Sequence, residues 1–487
     1  IEPPVDEVQW DFTKEQEETQ RMFNSWKTEE SKAETRRQIR RFDVNLDEKR
    51  KRLEIEPDET YIPIRAIDQA IGNIKPSQIA FLESSKRLVI FSDVLDPSNP
   101  CEDLEMAFSA GMRYNKWNVA WHKAFDSTDL HGASFLDIRF DDSKPLHCAV
   151  EHVSREFLVF PDGTKDIQQC ERVARVYEYT AHELEGFVQT YGFNQAEVQR
   201  LVDVKSEKRN ELIKIARVYK KVKGVVWVYW TTERTGSQDF LKQPVKLQLG
   251  LYDLTMDPMM VEQLTAQGQE IPQRDVEFYP IVMLPFEIIE DELITNIKGC
   301  AAKEITTQEA LTELWTNMVN ASKKSSRVYA SVENSPNGDI SEALQAKPLP
   351  RNGIYQRALK FWNFPPPDPS ILQIAQSLST VKLQEQGQVN FAAMNRKDSR
   401  KTAEEISSAT QAQQLAMSAD VATVSIAVRE VYTICWNIAQ SQIFIGAIND
   451  FPIARDKVMR LYKLSAAGDV DVIQRNELKQ LIQNMLP

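Results

Sequence analysis

Hydrophobic positions in the second half of the chain recur at helical spacing. From Thr306 onward they fall at the i, i+3, i+4, i+7 and i+8 positions of an amphipathic helix (Leu311, Leu314, Trp315, Met318 and Val319). Thr306 and Glu309 also stand at the spacing of a capping box, in which each side chain satisfies a free amide of the other residue. The pattern therefore predicts an amphipathic helix that begins at Thr306.

A second helix is predicted after the proline run that ends at Pro367. Asp368 is placed to cap the free amides, and Pro369 suits the first helical turn. The apolar positions that follow again have helical spacing (Ile371, Ile374, Ala375, Leu378 and Val381).

A third, longer helix follows a short basic break, Asn395 to Lys401. It opens with a capping box of Thr402 and Glu405 and has neither proline nor glycine before Gly446. A helix of about 40 residues extends roughly 60 Å, which is too long for one small domain. Until Ile426 its positions are mostly alanine, serine, threonine and glutamine, so its apolar stripe is thin. We expect this first half to pack against copies of itself.

Between residues 327 and 368 the helical spacing is lost. Short extended pieces alternate with turn residues and end in the run Pro365 to Pro367 (turn residues Pro336, Gly338, Pro348, Pro350 and Gly353). The pattern predicts a small β-rich insertion between two helices.

The first 300 residues mix both periodicities. Helical spacing from Leu104 to Phe125 is followed, after Gly132, by an alternating strand pattern that ends at Phe140. Helix starts are predicted at Thr180 with Glu183 and at Asn194 with Glu197. Further strands are predicted at Glu156 to Phe160, Arg172 to Tyr179, Val225 to Trp230 and Lys246 to Tyr252. The region is predicted to be α+β.

The segment from Thr13 to Arg41 is highly charged and predicts an exposed helix or pair of helices. Its arginine doublets, Arg36 with Arg37 and Arg40 with Arg41, lie one helical turn apart. They are typical either of a solvated face balanced by nearby glutamates or of a surface that docks on an acidic partner.

Length and charge limit the classes of function. With 487 residues the chain is long enough for several domains. Its net charge of −12 argues against broad coating of nucleic acid, because tight DNA binders present a basic surface to the phosphates. The five cysteines are scattered and never stand as C-x-x-C, so neither a disulfide framework nor a zinc site is expected. No apolar run approaches 18 residues, so no membrane span is predicted.

The motifs of common enzyme classes are missing. No glycine stands in a G-x-G or P-loop arrangement, and no G-x-S-x-G elbow occurs. His147, Cys148 and His152 form a small cluster that lacks a third or fourth ligand at a telling spacing. Adjacent acidic pairs, Asp141 with Asp142 and Glu290 with Asp291, are too common to indicate a magnesium site. We expect no enzyme activity, no cofactor and no bound metal.

The order of these features resembles the portal, or head–tail connector, proteins of tailed bacteriophages. The resemblance covers most of the chain, and the order of its parts is more specific than any single part. Five features carry it: a helix and strand from Trp117 to Phe140, a strand and helix from Arg172 to Val188, the phrase Phe278, Tyr279, Pro280, the β-rich insertion with its proline run, and the sequence Arg400 to Ile406 at the start of the long helix.

The resemblance implies a portal-like division of the chain into consecutive segments. Residues 1–305 would be an α+β wing, and two stem helices would flank a β-containing clip before a loop and a long helix lead into a helical crown. The segments are stem helix 1 at 306–327, the clip at 328–367, stem helix 2 at 368–388, the channel loop at 389–401, the long helix at 402–445 and the crown at 446–487.

The resemblance also implies site residues. Four basic residues would face DNA in the channel, namely Arg396, Lys397, Arg400 and Lys401. The residues alone leave open that Arg400 and Lys401 pair instead with carboxylates at the helix start, those of Asp398, Glu404 or Glu405. Contacts of the clip with the packaging ATPase and then the adaptor would involve Lys347, Arg351, Tyr355, Arg357 and Trp362.

The implied function is a ring of twelve subunits at one capsid vertex, through which double-stranded DNA is packaged and ejected. Its partners would be the major capsid protein, the large terminase subunit and the head–tail adaptor or tail proteins, with assembly in the host cytoplasm and a final place in the virion. An acidic chain suits a conduit, because tight phosphate binding would hold DNA still. A cytoplasmic α-helical scaffold that binds partner proteins is the alternative, and a DNA-processing enzyme is a third hypothesis.

Overall fold

Helices and strands are mixed along the chain, which confirms the predicted α+β class. The structure is a computed structural model that describes residues 10–41, 60–84, 89–94, 101–205, 212–232, 238–267, 269–288, 292–327, 329–332, 347–348, 359–362, 365–385, 403–460 and 462–466.

Contacts divide the chain into two compact units that do not follow its linear order. Unit 1 contains residues 1–36, 71–300 and 418–487, and unit 2 contains residues 37–70 and 301–417. Both ends of the chain therefore belong to unit 1. The consecutive segments implied by the portal resemblance remain a prediction.

Unit 1 is built on an antiparallel sheet of five strands. In spatial order these are β4 (Leu158–Val159), β5 (Arg172–Tyr179), β6 (Ile213–Val222), β7 (Val225–Thr232) and β8 (Lys242–Lys246). A two-residue turn joins β6 to β7, and both of its residues, Lys223 and Gly224, have positive φ, as a tight hairpin requires. The predicted strand at Lys246 to Tyr252 is wrong, because β8 ends where that prediction begins. The central strand β6 was not predicted.

The charged N-terminal helix α1 (Phe12–Arg41) contacts one face of this sheet. Met22, Phe23 and Trp26 are buried, and so is Glu15, whose carboxylate accepts from Lys220 at 2.6 Å and from Arg172 at 3.2 Å. The predicted helix is confirmed as a single helix, and its outer positions are exposed, but one side of it is buried. The high charge of α1 is used in buried ion pairs as well as in contact with solvent.

The opposite face of the sheet carries α5 (Ala181–Tyr191) and α6 (Gln195–Lys205). Both predicted helix starts are confirmed. Thr180 and Glu183 form the capping box, and the Asn194 side chain accepts from the amide of Ala196 at 3.1 Å. The two helices enclose a small apolar core with the sheet (Leu184, Phe193, Val198, Leu201, Ile213, Ile215 and Leu241).

A second sheet of unit 1 has three antiparallel strands, with β2 (Ala133–Phe140) between β3 (Cys148–Val153) and β9 (Ile281–Pro285). The predicted helix from Leu104 to Phe125 is two helices, α3 (Glu102–Tyr114) and α4 (Trp117–His131). They are separated at Lys116, whose φ of 55° lies in the left-handed region and ends the helical path.

The third sheet of unit 1 joins distant parts of the chain. It pairs β1 (Val89–Asp93) with β13 (Tyr462–Ala466). The remaining helices of this unit are α7 (Pro258–Ala266) and α11 (Arg455–Val458), and α2 (Ala66–Ser84) begins in unit 2 and continues into unit 1.

The long predicted helix is present as α10 (Ala403–Phe444), which has 42 residues. Its C-terminal half is the centre of the unit 1 core: Trp436 is 2% exposed and lies edge-on to Phe91 at 4.8 Å and to Phe108 at 5.4 Å between ring centroids. Side chains at 403–422 lie outside the described residues, so the expected packing of the first half against copies stays a prediction.

Unit 2 contains the predicted β-rich insertion. Three antiparallel strands, β10 (Tyr329–Val332), β11 (Lys347–Pro348) and β12 (Leu359–Trp362), stand between α8 (Cys300–Ser325) and α9 (Pro369–Glu385). This arrangement confirms an insertion between two helices. The capping box predicted at Thr306 is wrong, because α8 already begins at Cys300.

Candidate functional site

The four basic residues expected to face DNA lie outside the described residues, as do three of the five clip candidates. These are Arg396, Lys397, Arg400 and Lys401 in the predicted channel loop, and Arg351, Tyr355 and Arg357 in the predicted clip. Their roles remain predictions. The described parts of unit 2 that surround them in sequence are the clip sheet, α8 and α9.

The clip sheet has β10 at its centre. Lys347 of β11 lies opposite Ala330, and Trp362 of β12 lies opposite Tyr329, so the two described clip candidates occupy neighbouring rows of the same sheet. Residues directly opposite in an antiparallel pair share a face. Tyr329 is buried, whereas Phe361, which lies in the row of Ala330 and Lys347, is 64% exposed. One row of the sheet thus contains a buried tyrosine, and the neighbouring row contains an exposed phenylalanine ring.

The most regular contact in unit 2 is a polar ladder along α8. Four side chains spaced four residues apart accept main-chain amides of an extended segment: Asn320 accepts from Thr60 at 2.9 Å, Thr316 from Ile62 at 3.1 Å, Thr312 from Ile64 at 3.1 Å and Gln308 from Ile67 at 3.1 Å. All four side chains are buried.

The spacing of alternate amides along the extended segment matches the spacing of the ladder side chains along α8. Two residues of extended chain advance about 6.6 Å, and four residues of α-helix advance about 6 Å. Alternate amides of the segment therefore meet successive turns of the helix. The last step takes three residues, from Ile64 to Ile67, because the segment turns there into α2, which begins at Ala66.

Gln308, at the end of the ladder, forms hydrogen bonds with the ends of two helices. Its side-chain amide donates to the carbonyl of Ile39 in the last turn of α1 at 3.4 Å, and its oxygen accepts from Ile67 in the first turn of α2. Carbonyls at helix C-termini and amides at N-termini have no partner within their own helix. One glutamine of α8 therefore caps both helix ends.

The apolar stripe of α8 is covered less than its polar ladder. Leu311 is 5% exposed, but Leu314, Trp315, Met318 and Val319 are only partly buried. On α9, Ala375 is buried while Ile374 is 51% exposed and Leu372 is 38% exposed. Amphipathic helices ordinarily bury the apolar stripe. Helices α8 and α9 thus both leave apolar side chains accessible within one chain.

In unit 1, a buried arginine fixes the segment that leads into α8. Arg155 is 1% exposed and donates to the carbonyls of His131 at 2.7 Å, Thr295 at 2.5 Å and Ile297 at 3.2 Å. The carboxylate of Glu29 lies 3.3 Å from the same guanidinium. Burial disfavours the charged form and lowers the pKa of Arg155 to about 10, which Glu29 partly offsets.

Two glycines allow the end of α4 to lie close to the segment before α8, which Arg155 also contacts. A Cβ at Gly132, whose φ is +92°, would lie 2.2 Å from the carbonyl oxygen of Ile297, and one at Gly299 would lie 2.6 Å from the carbonyl oxygen of Asp129. Helix α4 and the segment before α8 can therefore pass in contact only where both side chains are absent.

Charged side chains also join the two larger sheets of unit 1. Arg175 of β5 donates to Asp137 of β2 and, at 2.8 Å, to Glu151 of β3, and Arg139 contacts Glu151 as well. Burial opposes the charge of Arg175, but Asp137 and Glu151 raise the pKa of Arg175 above its ordinary value. Both carboxylates are matched by arginines, as in a structural ion-pair network.

The His147, Cys148 and His152 cluster does not form a metal site. The His147 ring lies 3.3 Å from the Gln442 side chain, and Cys148 is buried at the start of β3. Across the described ranges, no group of three or more histidine, cysteine, aspartate or glutamate side chains could hold a metal ion. Nor is any described helix both long and apolar enough to cross a membrane.

Sequence reasoning missed the ladder and Arg155. The ladder had a visible signal, because Gln308, Thr312, Thr316 and Asn320 repeat at i+4 beside the apolar stripe. Such a stripe is usually solvated, and nothing local shows that an extended segment 240 or more residues earlier covers it. Arg155 has no local signal, since its partners come from three separate segments.

Comparison with known proteins adds no identification. No protein-family model matches the chain, and no curated protein matches it.

Proposed function

We propose that the chain is a portal protein that forms a ring-shaped channel for viral double-stranded DNA and a docking platform for the packaging ATPase and then the tail or adaptor. The observation that carries the proposal is the order of elements along the chain from α8 to α10. A small antiparallel sheet stands between α8 and α9, and the 42-residue helix α10 follows. This is the order of stem, clip, stem and long helix in the family that the sequence resembles.

The partly covered apolar positions on α8 and α9 support assembly into a closed ring. Trp315 and Met318 on α8 and Ile374 on α9 retain accessible surface in a single chain. A cyclic ring provides every subunit with the same neighbour and so covers the same positions in all copies. The exposed Phe361 of the clip sheet supports a docking role for that sheet.

The mass and symmetry of the purified protein test the proposal directly. Twelve copies of the 55.9 kDa chain have a mass of about 670 kDa, and negative-stain images should show rings with an open centre. Mass photometry beside imaging distinguishes this result from a persistent monomer or dimer at micromolar concentration. That second result would favour the scaffold hypothesis.

The channel-loop residues can be tested in a ring that forms normally. Alanine at Arg396 and Lys397 should alter packaging or retention of DNA without dissolving the ring, because weak phosphate contacts act on the DNA and not between subunits. The matched control removes two exposed charges on α1, Lys14 and Arg21. Loss of the ring in the channel-loop variant would instead assign those residues a structural role.

The clip can be tested by binding of the packaging ATPase to purified rings. Alanine at Arg351, Tyr355 and Arg357 should weaken this binding while ring mass stays unchanged, because side chains at a docking surface contribute to association and not to the subunit fold. Unchanged binding would remove these residues from the proposed docking surface.

A further inference from the structure

The extended segment Thr60–Arg65, here called the strap, contacts α8 through its own main chain. Amides of Thr60, Ile62 and Ile64 donate to α8 side chains, and the carbonyl of Thr60 accepts from the Asn320 side chain at 2.9 Å. We infer that the strap is a conformational switch of unit 2, which opens from α8 and closes on it without unfolding α8 or unit 1.

The strap has little apolar anchorage. Pro63 and Arg65 are exposed, and Tyr61, Ile62 and Ile64 are only partly buried, whereas Ile67, just beyond the strap, is fully buried. The net gain from a few hydrogen bonds is of the same order as the cost of ordering six residues of chain. The closed and open states of the strap are therefore close in free energy, unlike those of the α2 helix that follows.

Helix α8 does not need the strap to remain helical. Its main-chain hydrogen bonds are internal, and the ladder side chains Thr312, Thr316 and Asn320 are polar groups that water can satisfy. Opening therefore exposes polar surface and creates no apolar cavity. The same argument would fail for the C-terminal half of α10, whose buried face is apolar.

One side-chain contact adds to the main-chain contacts of the strap. The Lys323 ammonium donates to the Thr60 hydroxyl at the end of the strap far from α2. The ion pair of Arg40 with Asp68, at 2.8 Å, joins α1 to α2 and does not include the strap.

The open strap changes unit 2 in two ways. It frees three neighbouring polar positions of α8, and it leaves Gln308 as the remaining ladder contact to α1 and α2. Helix α8 then has greater freedom to rotate against residues 37–70. The closed strap fixes that rotation and thereby fixes which face of α8 is accessible. This inference does not depend on the proposed portal function.

Hydrogen exchange of the wild-type protein tests the switch without any substitution. The amides of Ile62 and Ile64 should be protected relative to an unfolded peptide, yet exchange about 100-fold or more faster than amides in the middle of α8 and in β6, since local opening costs less than global unfolding. Exchange at the same rate as α8 would overturn the inference, and so would the absence of protection.

A pair of isosteric variants tests whether the ladder holds the strap closed. Thr312→Val with Thr316→Val removes two acceptors at constant side-chain volume and should accelerate exchange at Ile62 and Ile64 by about tenfold or more. The matched control is Thr306→Val, an exposed threonine on the same helix. If the double variant leaves the strap amides as slow as in the control, the ladder does not control opening and the inference fails.

Discussion

Two helices of this protein bury opposite kinds of face. In unit 1, the C-terminal half of α10 buries Val428, Tyr432 and Trp436 among aromatic rings. In unit 2, α8 buries Gln308, Thr312, Thr316 and Asn320 and leaves most of its apolar stripe partly accessible. Each helix therefore buries the kind of face that suits its neighbour.

The difference follows from what each neighbour requires. Side chains from α3, α4 and β1 surround α10, and apolar side chains gain free energy when they leave water together. The neighbour of α8 is an extended main chain, whose buried amides need acceptors. A polar stripe at i+4 spacing supplies them. Burial of a helical face is thus no proof that the face is apolar.

The largest effect is expected for a substitution in the apolar core around α10. Trp436→Ala should destabilise unit 1 by about 4 kcal/mol, because it removes a fully buried ring from contacts with Phe91 and Phe108 and leaves a cavity. Urea denaturation measures the loss. Tyr114→Ala, at a side chain that is 77% exposed, is the control and should change stability by less than about 0.5 kcal/mol. Equal effects in both variants would refute the assigned core.

A buried charge in unit 1 provides the next test. Arg155→Met should cost about 3 kcal/mol, because it leaves Glu29 without its buried partner and three carbonyls without their donor. The same denaturation assay measures this cost. The double variant with Glu29→Gln should recover part of the loss, since the carboxylate that has lost Arg155 and retains Lys32 alone of these two partners is then neutral. A double variant that is as unstable as the sum of both single variants would show that the two residues do not interact.

A smaller loss of stability is expected when the pH is lowered, because of a histidine in unit 1. Burial, reinforced by Lys123 and Arg175, lowers the pKa of His152 to about 4 from 6.5, with Asp126 acting in the opposite direction. The unfolded chain therefore binds a proton that the folded chain excludes, and stability is lost as pH falls from 6.5 towards 4. His152 should account for a loss of about 2 kcal/mol between neutral pH and about pH 5.

Substitution isolates this contribution. Stability of His152→Gln should fall less steeply with decreasing pH than that of the wild type, as measured by urea denaturation at both pH values. His182→Gln removes an exposed histidine and should retain the wild-type slope. If the two variants show the same slope, His152 does not titrate as its surroundings indicate.

Sequence periodicity predicted the elements whose apolar pattern is visible within their own segment. The helices at α8, α9 and α10, the strand at Arg172 to Tyr179 and the insertion between two helices were all visible in this way. The central strand β6 was not, because Lys214 and Lys220 interrupt its apolar pattern. These lysines pair with Glu30 and Glu15 of α1, and no local pattern shows a partner so distant in sequence.

The same limit applies to the candidate site. The ladder is a polar stripe of ordinary composition, and the strap is a short segment without a clear pattern. The contact between them is visible only where residues 60–67 meet residues 308–320. The predicted strand after Lys246 failed for a related reason. Gly250, with φ of +65°, turns the chain there, and its carbonyl accepts from Gln442 of α10 at 2.6 Å. Contacts between distant segments decided both cases.

The smallest effect is expected for a substitution in the polar ladder of α8. Gln308→Leu should cost about 1 to 2 kcal/mol, because the leucine side chain leaves the Ile39 carbonyl and the Ile67 amide without the partner that capped them. Gln373→Leu, on an exposed position of α9, is the matched control. Hydrogen exchange should show faster exchange at Ile67 and in the first turn of α2 for Gln308→Leu alone. A stabilising effect of Gln308→Leu would mean that α8 gains more from an apolar contact than from capping two helices, and the contrast with α10 would disappear.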